Sequence, residues 1–322
     1  MSQKIRALQD QIEAAHQRIR EHIRETPLEF SQYLSAQFDA NVYLKLENVQ
    51  HTGSFKFRGA LNKVLSLSED ELKNGVVTAS SGNHGMAVAL AAKMANVQAK
   101  VFVANIASKA KVERVRQLGA EIQTVGENGL EAELAARDYS GKTGVPFISP
   151  YNDPDVVAGQ GTIGVELAKQ LGQIDGLFIS IGGGGLISGI AGYLKSVIPQ
   201  VRVIGCQPEN SRVMYESVKA GRILEFPEQD TLSDGTAGGI EQNAVTFPLC
   251  EELIDEFALV SEQEIASAMR VVAAHDNWII EGAAGVAVAA LLKNNVKWRG
   301  KNIVVLICGK NISFETLQRV IA

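Results

Sequence analysis

The sequence predicts an α/β protein of two domains, each a mainly parallel twisted sheet flanked by helices. Three observations predict it. Short β-rich runs alternate with helical patterns along nearly the whole chain, the order that builds parallel sheets. A chain of 322 residues exceeds one typical domain and falls short of three. Thirty glycines against eight prolines, with 46 % hydrophobic and 21 % charged residues, suit tight strand-to-helix turns rather than disordered linker.

The first element covers residues 3–24, where Ile5, Leu8, Ile12, Ala15, Ile19 and Ile23 recur at steps of three and four, and Thr26-Pro27 ends the helix. Strand-then-helix pairs follow at 42–46 and 57–65, 76–79 and 86–94, 100–104 and 107–118, and 122–125 and 130–139. A second series runs through 146–149, 159–171, 177–181, 186–197, 201–206, 211–220, 261–274, 282–292 and 303–307, so two sheets are expected rather than one. Residues 221–260, rich in Asp, Gly, Pro and Thr, are expected to form a long, partly irregular excursion crossing the site.

Several function classes are excluded at this level. With 31 Lys plus Arg against 36 Asp plus Glu, the net charge of -5 offers no basic surface, and nucleic acid is not an expected partner. Cys206, Cys250 and Cys308 are odd in number and widely spaced, and no Cys/His pair has zinc-ligand spacing. Neither a disulfide framework nor a metal is expected, and a reducing cytoplasm fits. The first thirty residues lack the apolar core of a signal peptide, and no later run approaches a membrane span.

Three constellations carry chemistry. Thr52-Gly53-Ser54-Phe55-Lys56 lies between a strand and a helix, which places Lys56 near the positive end of the helix dipole. An ammonium is disfavoured there, and the neutral amine is the form that condenses with a carbonyl or takes a proton. Taken singly, Lys56 also reads as a surface lysine at a helix start. Ser80-Ser81-Gly82-Asn83-His84-Gly85 follows an apolar strand and opens a small-residue helix, so backbone amides converge on one point, where Ser81, Asn83 and His84 add donors for a carboxylate. An ordinary N-cap has the same residues. Gly182, Gly183, Gly184 and Gly185 form a second seat, where backbone without Cβ wraps an anion, phosphate being the natural guest. A dinucleotide is set aside, because Ser188 stands in place of the third glycine and Gln207 follows the next strand where an acid is expected. The strand at 303–307 runs into Cys308, a thiol at a strand tip where α/β proteins bind ligands, although a buried structural cysteine is commoner. Glu281-Gly282-Ala283-Ala284-Gly285 reads as a plain acidic first turn of a helix.

A poised lysine with one phosphate seat and one carboxylate seat suggests pyridoxal phosphate holding an amino acid. The stretch from Glu47 through Lys56 to Ala60, with Ser80 to Gly85, Gly182 to Gly185 and Glu281 to Gly285, resembles the threonine dehydratase and serine racemase family over nearly the whole chain. The resemblance implies the tryptophan synthase β-like fold, with residues 1–46 and 147–322 as a large domain, residues 47–146 as a small inserted one, and the cofactor between them. It implies that Lys56 holds the cofactor and later removes the α-proton. Phe55 would pack on the ring edge, Asn83 would bond the ring hydroxyl, and Gly182 to Gly185 with the Leu186 amide would seat the phosphate. Cys308 would face the pyridine nitrogen, and Ser81, Asn83 and His84 would seat the substrate carboxylate.

The implied activity is β-elimination from L-threonine or L-serine to a 2-oxo acid and ammonia, with serine racemase as the alternative because racemases use a serine at the position of Ser81. A neutral partner at Cys308 makes the ring a shallower electron sink, which suits prompt loss of a β-hydroxyl better than transamination. Three departures from the family are Lys310, where a small residue is common, Gln207 and Val213, where metal-activated relatives have acids, and the acidic run Glu127, Glu131 and Glu133, which disfavours a dicarboxylic substrate. The resemblance also implies a homodimer or homotetramer.

Overall fold

The computed structural model describes residues 3–227, 229–293 and 298–322. The chain starts with α1 (Gln3–Ile19), β1 (Leu28–Phe30), α2 (Gln32–Phe38), β2 (Asn41–Leu46), α3 (Lys56–Ser66) and α4 (Glu69–Leu72). It continues with β3 (Val76–Ala79), α5 (Asn83–Met94), β4 (Ala99–Val103), α6 (Lys109–Gln117), β5 (Glu121–Thr124) and α7 (Gly129–Thr143). Then come α8 (Pro154–Gln170), β6 (Gly176–Ser180), α9 (Gly185–Val197), β7 (Arg202–Pro208), α10 (Val213–Ala220) and α11 (Thr246–Leu253). The last are β8 (Glu256–Val260), α12 (Glu262–His275), α13 (Gly282–Lys293), β9 (Asn302–Ile307) and α14 (Phe314–Ile321).

Two sheets result. The larger has six strands in the order β1-β2-β9-β6-β7-β8, and the smaller has β3-β4-β5. Every pairing is parallel except β1 with β2. Helices on both faces bury the central strands completely, which is why β6 and β9 read as continuous apolar runs with no alternation. Residues 146–149 join the small sheet only through an isolated bridge between Val77 and Phe147, not as a full strand.

The periodic face of α1 is buried as its spacing requires, with Ile12, Ala15 and Ile19 all at 0 % exposure. The helix nevertheless stops at Ile19, short of the expected 24. Gln50 explains the early end: its side chain accepts from the Arg24 amide at 3.1 Å and donates to the Arg24 carbonyl at 2.9 Å. The backbone groups of Arg24 are thus taken up by a tertiary partner. Helix α8 starts at Pro154, five residues before the expected 159, because Asp153 caps it by accepting from the amides of Asp155 and Val156 with proline at the first helical turn. Strands β1 and β8 and helices α2, α11 and α14 fall in stretches whose periodicity is too short to read, and α11 and β8 lie inside the excursion expected to be irregular.

Helix α3, which carries Lys56 as its first residue, crosses α8 almost backbone to backbone. A Cβ on Gly159 would lie 2.6 Å from both the Arg58 carbonyl oxygen and the Gly59 Cα, and one on Gly59 would lie 2.8 Å from the Val156 carbonyl oxygen. Gly159→Ala should gain about 1 kcal/mol of helix propensity but lose about 1–3 kcal/mol to overpacking. The obstructing atoms are backbone, so overpacking wins. Thermal unfolding is expected to show a lower Tm, and an unchanged or raised Tm would refute the close crossing.

Candidate active site

The loop before α3 is stitched to the end of β9. Ser54 and Gly309 form an antiparallel bridge, the Phe55 amide donates to the Cys308 carbonyl at 3.1 Å, and the Lys310 amide donates to the Gly53 carbonyl at 3.0 Å. Gly53 makes the turn with φ +75°, which few side-chain-bearing residues tolerate. Lys56 follows at the helix start, half-buried, with its ammonium donating to the Pro150 carbonyl at 2.9 Å and lying 5.1 Å from the centre of the Phe55 ring. Burial is the largest influence on this amine and lowers its pKa to about 8, while Cys308 and Glu281 pull the other way. The nearby hydroxyls of Thr52 and Ser54 are buried without a hydrogen-bond partner among the described residues.

Gly182, Gly183, Gly184 and Gly185 lie between β6 and α9. Gly184 has φ +86° and caps α9, whose first-turn amides have no acceptor within the helix. A Cβ on Gly183 would fall 2.4 Å from the Tyr151 ring, and one on Gly182 would fall 3.1 Å from Thr236. The Thr246 hydroxyl donates to the Gly183 carbonyl at 2.6 Å and braces the loop. The two-residue step from Pro150 to Tyr151 therefore links the amine to the glycine turn: one residue accepts from Lys56 and the next packs on Gly183. Leu186 is buried in the first turn of α9.

The third loop, 80–85, follows β3. Gly82 caps α5, and a Cβ on Gly85 would strike the Ser80 carbonyl oxygen at 2.0 Å. Ser81 is half-buried in the loop. The Asn83 amide nitrogen donates to both carboxylate oxygens of Glu281 at 3.0 Å, and its oxygen accepts from the Asn311 side chain at 2.6 Å. His84 is 4 % exposed, its Nε2 lies 2.9 Å from the Ile148 carbonyl, and its Nδ1 is buried without a partner. The contact to a carbonyl assigns Nε2 the proton and leaves Nδ1 an acceptor.

Burial lowers the His84 pKa from 6.5 to about 3, aided by Lys56. A depressed folded pKa means that the unfolded chain takes up a proton that the native chain refuses, so stability falls as pH drops from about 6.5 toward about 3. The Tm of the apo-protein should decline over that range, and His84→Gln should flatten the decline. Equal acid limbs in both proteins would sink the assignment.

Cys308 directly follows β9 at 2 % exposure, and burial raises its pKa well above the ordinary thiol value, so it is neutral. Its neighbour Glu281, expected as a plain acidic first turn, is 4 % exposed and lies in the same cluster, 4.0 Å from the sulfur. Asn311, Pro150 and Tyr151 also escaped the sequence reading. A usable signal existed for Glu281: an acid inside the run Ile279-Ile280-Glu281-Gly282-Ala283 with no basic residue beside it. Lys310 is exposed. Gln207 is fully buried, with Nε2 donating to the Ile181 carbonyl at 3.2 Å and Oε1 accepting from the Tyr215 amide at 2.8 Å. Among the described residues no group of three or more His, Cys, Asp or Glu is placed to hold a metal ion.

Lys56, the glycine turn, loop 80–85 and Cys308 thus meet at the carboxyl ends of β2, β6, β3 and β9, the crevice where parallel sheets bind ligands. The donor set fits a phosphorylated aldehyde. It pairs an amine of lowered pKa with a helix start whose glycines leave no room for side chains, beside a neutral thiol. Fold and site together define an enzyme that handles amines through a carbonyl cofactor. The chain belongs to the pyridoxal-phosphate-dependent enzymes, a family that matches residues 19–309, and pyridoxal phosphate is its cofactor. It is 40 % identical to an L-threonine ammonia-lyase of Thermotoga maritima over 312 residues, covering 97 % of this chain and 77 % of that one. Its fold is similar to the processed threonine deaminase isoform 2 of Solanum lycopersicum, with TM-score 0.94 at 36 % identity, covering 99 % of this chain and 88 % of the other. It is also similar to maize serine racemase, with TM-score 0.91 at 31 % identity, covering 97 % and 95 %.

Proposed function

We propose that the protein removes water and then ammonia from L-threonine and L-serine, leaving a 2-oxo acid. The observation that carries this reading is a half-buried lysine of lowered pKa beside a neutral thiol, in a chain 40 % identical to a threonine ammonia-lyase. Bound pyridoxal phosphate supplies an aldehyde for amines and a ring that accepts the charge left by a departing α-proton.

The chain's own residues do the rest. Lys56 binds the cofactor covalently and, once freed by substrate, takes the α-proton at Nζ, which a pKa of about 8 suits near neutral pH. Phe55 would pack on the ring, and Asn83, its side chain set by Glu281 and Asn311, would reach the ring hydroxyl. The amides of Gly182 to Gly185 and Leu186 would hold the phosphate. Ser81, Asn83 and His84 orient the substrate carboxylate, His84 through its backbone amide, since its ring donates from Nε2 to the Ile148 carbonyl and leaves Nδ1 an acceptor. Cys308 contributes no charge at the ring nitrogen, which keeps the sink shallow and favours prompt loss of the β-hydroxyl. Residues 47–146 form the smaller domain in this reading. In support, Phe57, Ala60, Leu61 and Val64 of α3 share one core with Val76, Val88 and Val101.

A monocarboxylic amino acid is the substrate class, with no metal activator, because Gln207 is engaged by backbone and Val213 is buried and apolar. Assembly as a homodimer or homotetramer in the cytoplasm belongs to the same reading. No helix among the described residues is long and apolar enough to cross a membrane.

Purified protein loaded with cofactor should release ammonia and a 2-oxo acid from both amino acids, and silence with both would retire the proposal. Likeness to maize serine racemase favours racemisation as the second reading. Chiral chromatography of serine decides it, with Ser81→Ala expected to remove racemisation and spare elimination.

A further inference from the structure

We propose that Glu281 is a positioning residue whose carboxylate ties Asn83 on α5 to Cys308 and Asn311 at the exit of β9, and so sets both ring-edge partners of the cofactor together. The inference rests on the roles given above to Asn83 and Cys308, and deepens them. Glu281 immediately precedes α13, and its amide is held by the Gly309 carbonyl at 3.1 Å. Its two oxygens each accept from Asn83 Nδ2 at 3.0 Å, and Oε2 also accepts from the Asn311 amide at 3.0 Å. Asn311 closes the triangle by donating from Nδ2 to Asn83 Oδ1 at 2.6 Å and to the Thr52 carbonyl at 2.8 Å. The Cys308 sulfur is 4.0 Å from Oε1. A Cβ on Gly309 would sit 2.4 Å from that same oxygen, so the glycine is what admits the carboxylate.

Packing alone does not account for an acid here. A buried carboxylate lacking a directly bonded cation costs several kcal/mol, and this one has no salt bridge among the described residues. What the position demands is acceptors on both oxygens, for Asn83, Asn311 and the thiol. Glutamine offers one acceptor and turns a donor toward Asn83 or Asn311, leaving a buried N–H unpaired.

Charge adds a consequence. Lys56 and Cys308 face Glu281 from the loop and strand sides, Asp234 and Lys111 from the excursion and α6, and Asp230, Glu262 and Arg319 line the same cavity of about 440 Å³. Burial raises the Glu281 pKa to about 7, with Asp234 adding to the rise, while Asn83, Asn311 and Lys111 oppose it. When ionised, Glu281 accepts the single thiol proton. When protonated, it is a weaker acceptor, and the S–H would be free to turn toward the ring nitrogen instead. The electronic state of the bound cofactor should therefore change with pH near about 7.

The test compares cofactor-loaded parent and Glu281→Gln by visible absorbance across about pH 6 to 8, by cofactor Kd from fluorescence titration of the apo-proteins, and by kcat and KM for L-threonine. The expected result is a folded variant whose absorbance no longer titrates in that window. Its Kd and kcat should be worse by about 10- to 100-fold, with KM changed by less than about 3-fold. Unaltered absorbance titration in Glu281→Gln overturns the proposal, as does a lowered Tm with an unaltered spectrum, which marks a merely structural residue. If Glu281→Gln does not fold, Glu281→Asp carries the test: it keeps the charge but is one methylene too short to reach both Asn83 and Asn311. An absorbance titration like the parent's then overturns the proposal. A parent that shows the absorbance band but releases no ammonia from threonine fails the activity proposed above and leaves this comparison intact.

Discussion

Replacing Lys56 with alanine is expected to lower kcat for L-threonine about 1,000-fold or more, because one side chain serves as covalent anchor and as base. Mass spectrometry after borohydride reduction should find the cofactor attached to the parent at Lys56 and to nothing in the variant. The position of the amine makes the prediction strict. It lies at the start of α3, where the helix dipole and burial both oppose the ammonium, and its only hydrogen-bond partner among the described residues is the Pro150 carbonyl. Attachment of cofactor to the apo-protein needs the neutral amine, so its rate should climb as pH rises toward about 8 and level off above it. A variant retaining the parent's rate, or an adduct on another lysine, would overturn the assignment.

The second large effect is on folding. Arg58, at 0 % exposure, bonds Glu47 through Nε and Nη2 at 2.8 Å each, and Glu166 through Nη1 at 2.5 Å and Nη2 at 3.0 Å. Lys45 completes the group at 2.6 Å from Glu166, and the Thr26 hydroxyl donates to Glu47 at 2.6 Å. Burial works against the guanidinium, but the two carboxylates more than offset it and hold its pKa above the ordinary arginine value. Arg58→Ala leaves Glu47 with no cation and Glu166 with one, and is expected to cost about 3–5 kcal/mol. Against a total stability of about 5–15 kcal/mol that is a large share. Denaturant unfolding should show a much lower midpoint. Arg58→Lys should recover little, since one ammonium lacks the fork that spans both carboxylates. A midpoint within experimental error of the parent would show that the cluster contributes nothing net.

What could be read from the chain, and what could not, follows from distance. Lys56, Gly182 to Gly185 and Asn83 announce themselves because strand, turn and helix signals stand beside them in the sequence. The two sheets were legible for the same reason: Leu177 to Ile179 of β6 and Ile303 to Ile307 of β9 are unbroken apolar runs, as a parallel strand buried on both faces requires. Glu281 was not legible as a site residue, since its meaning comes from Asn83, 198 positions away, and from a gap beside Gly309 that only folding creates. The early end of α1 was hidden likewise, because the group that stops it, Gln50, arrives from another loop. Strand β8 is an edge strand that is only partly covered, so its five residues lack the uniform apolarity that marks the central ones.

The backbone exchange between Gly53 and Lys310, and between Phe55 and Cys308, joins the start of α3 to the exit of β9. Helix α3 shares its core with the three-stranded sheet, yet its first residue is moored to the last strand of the six-stranded one. The amine and the thiol are thus hung from one strand, and their spacing is set by backbone hydrogen bonds rather than by packing between the two sheets.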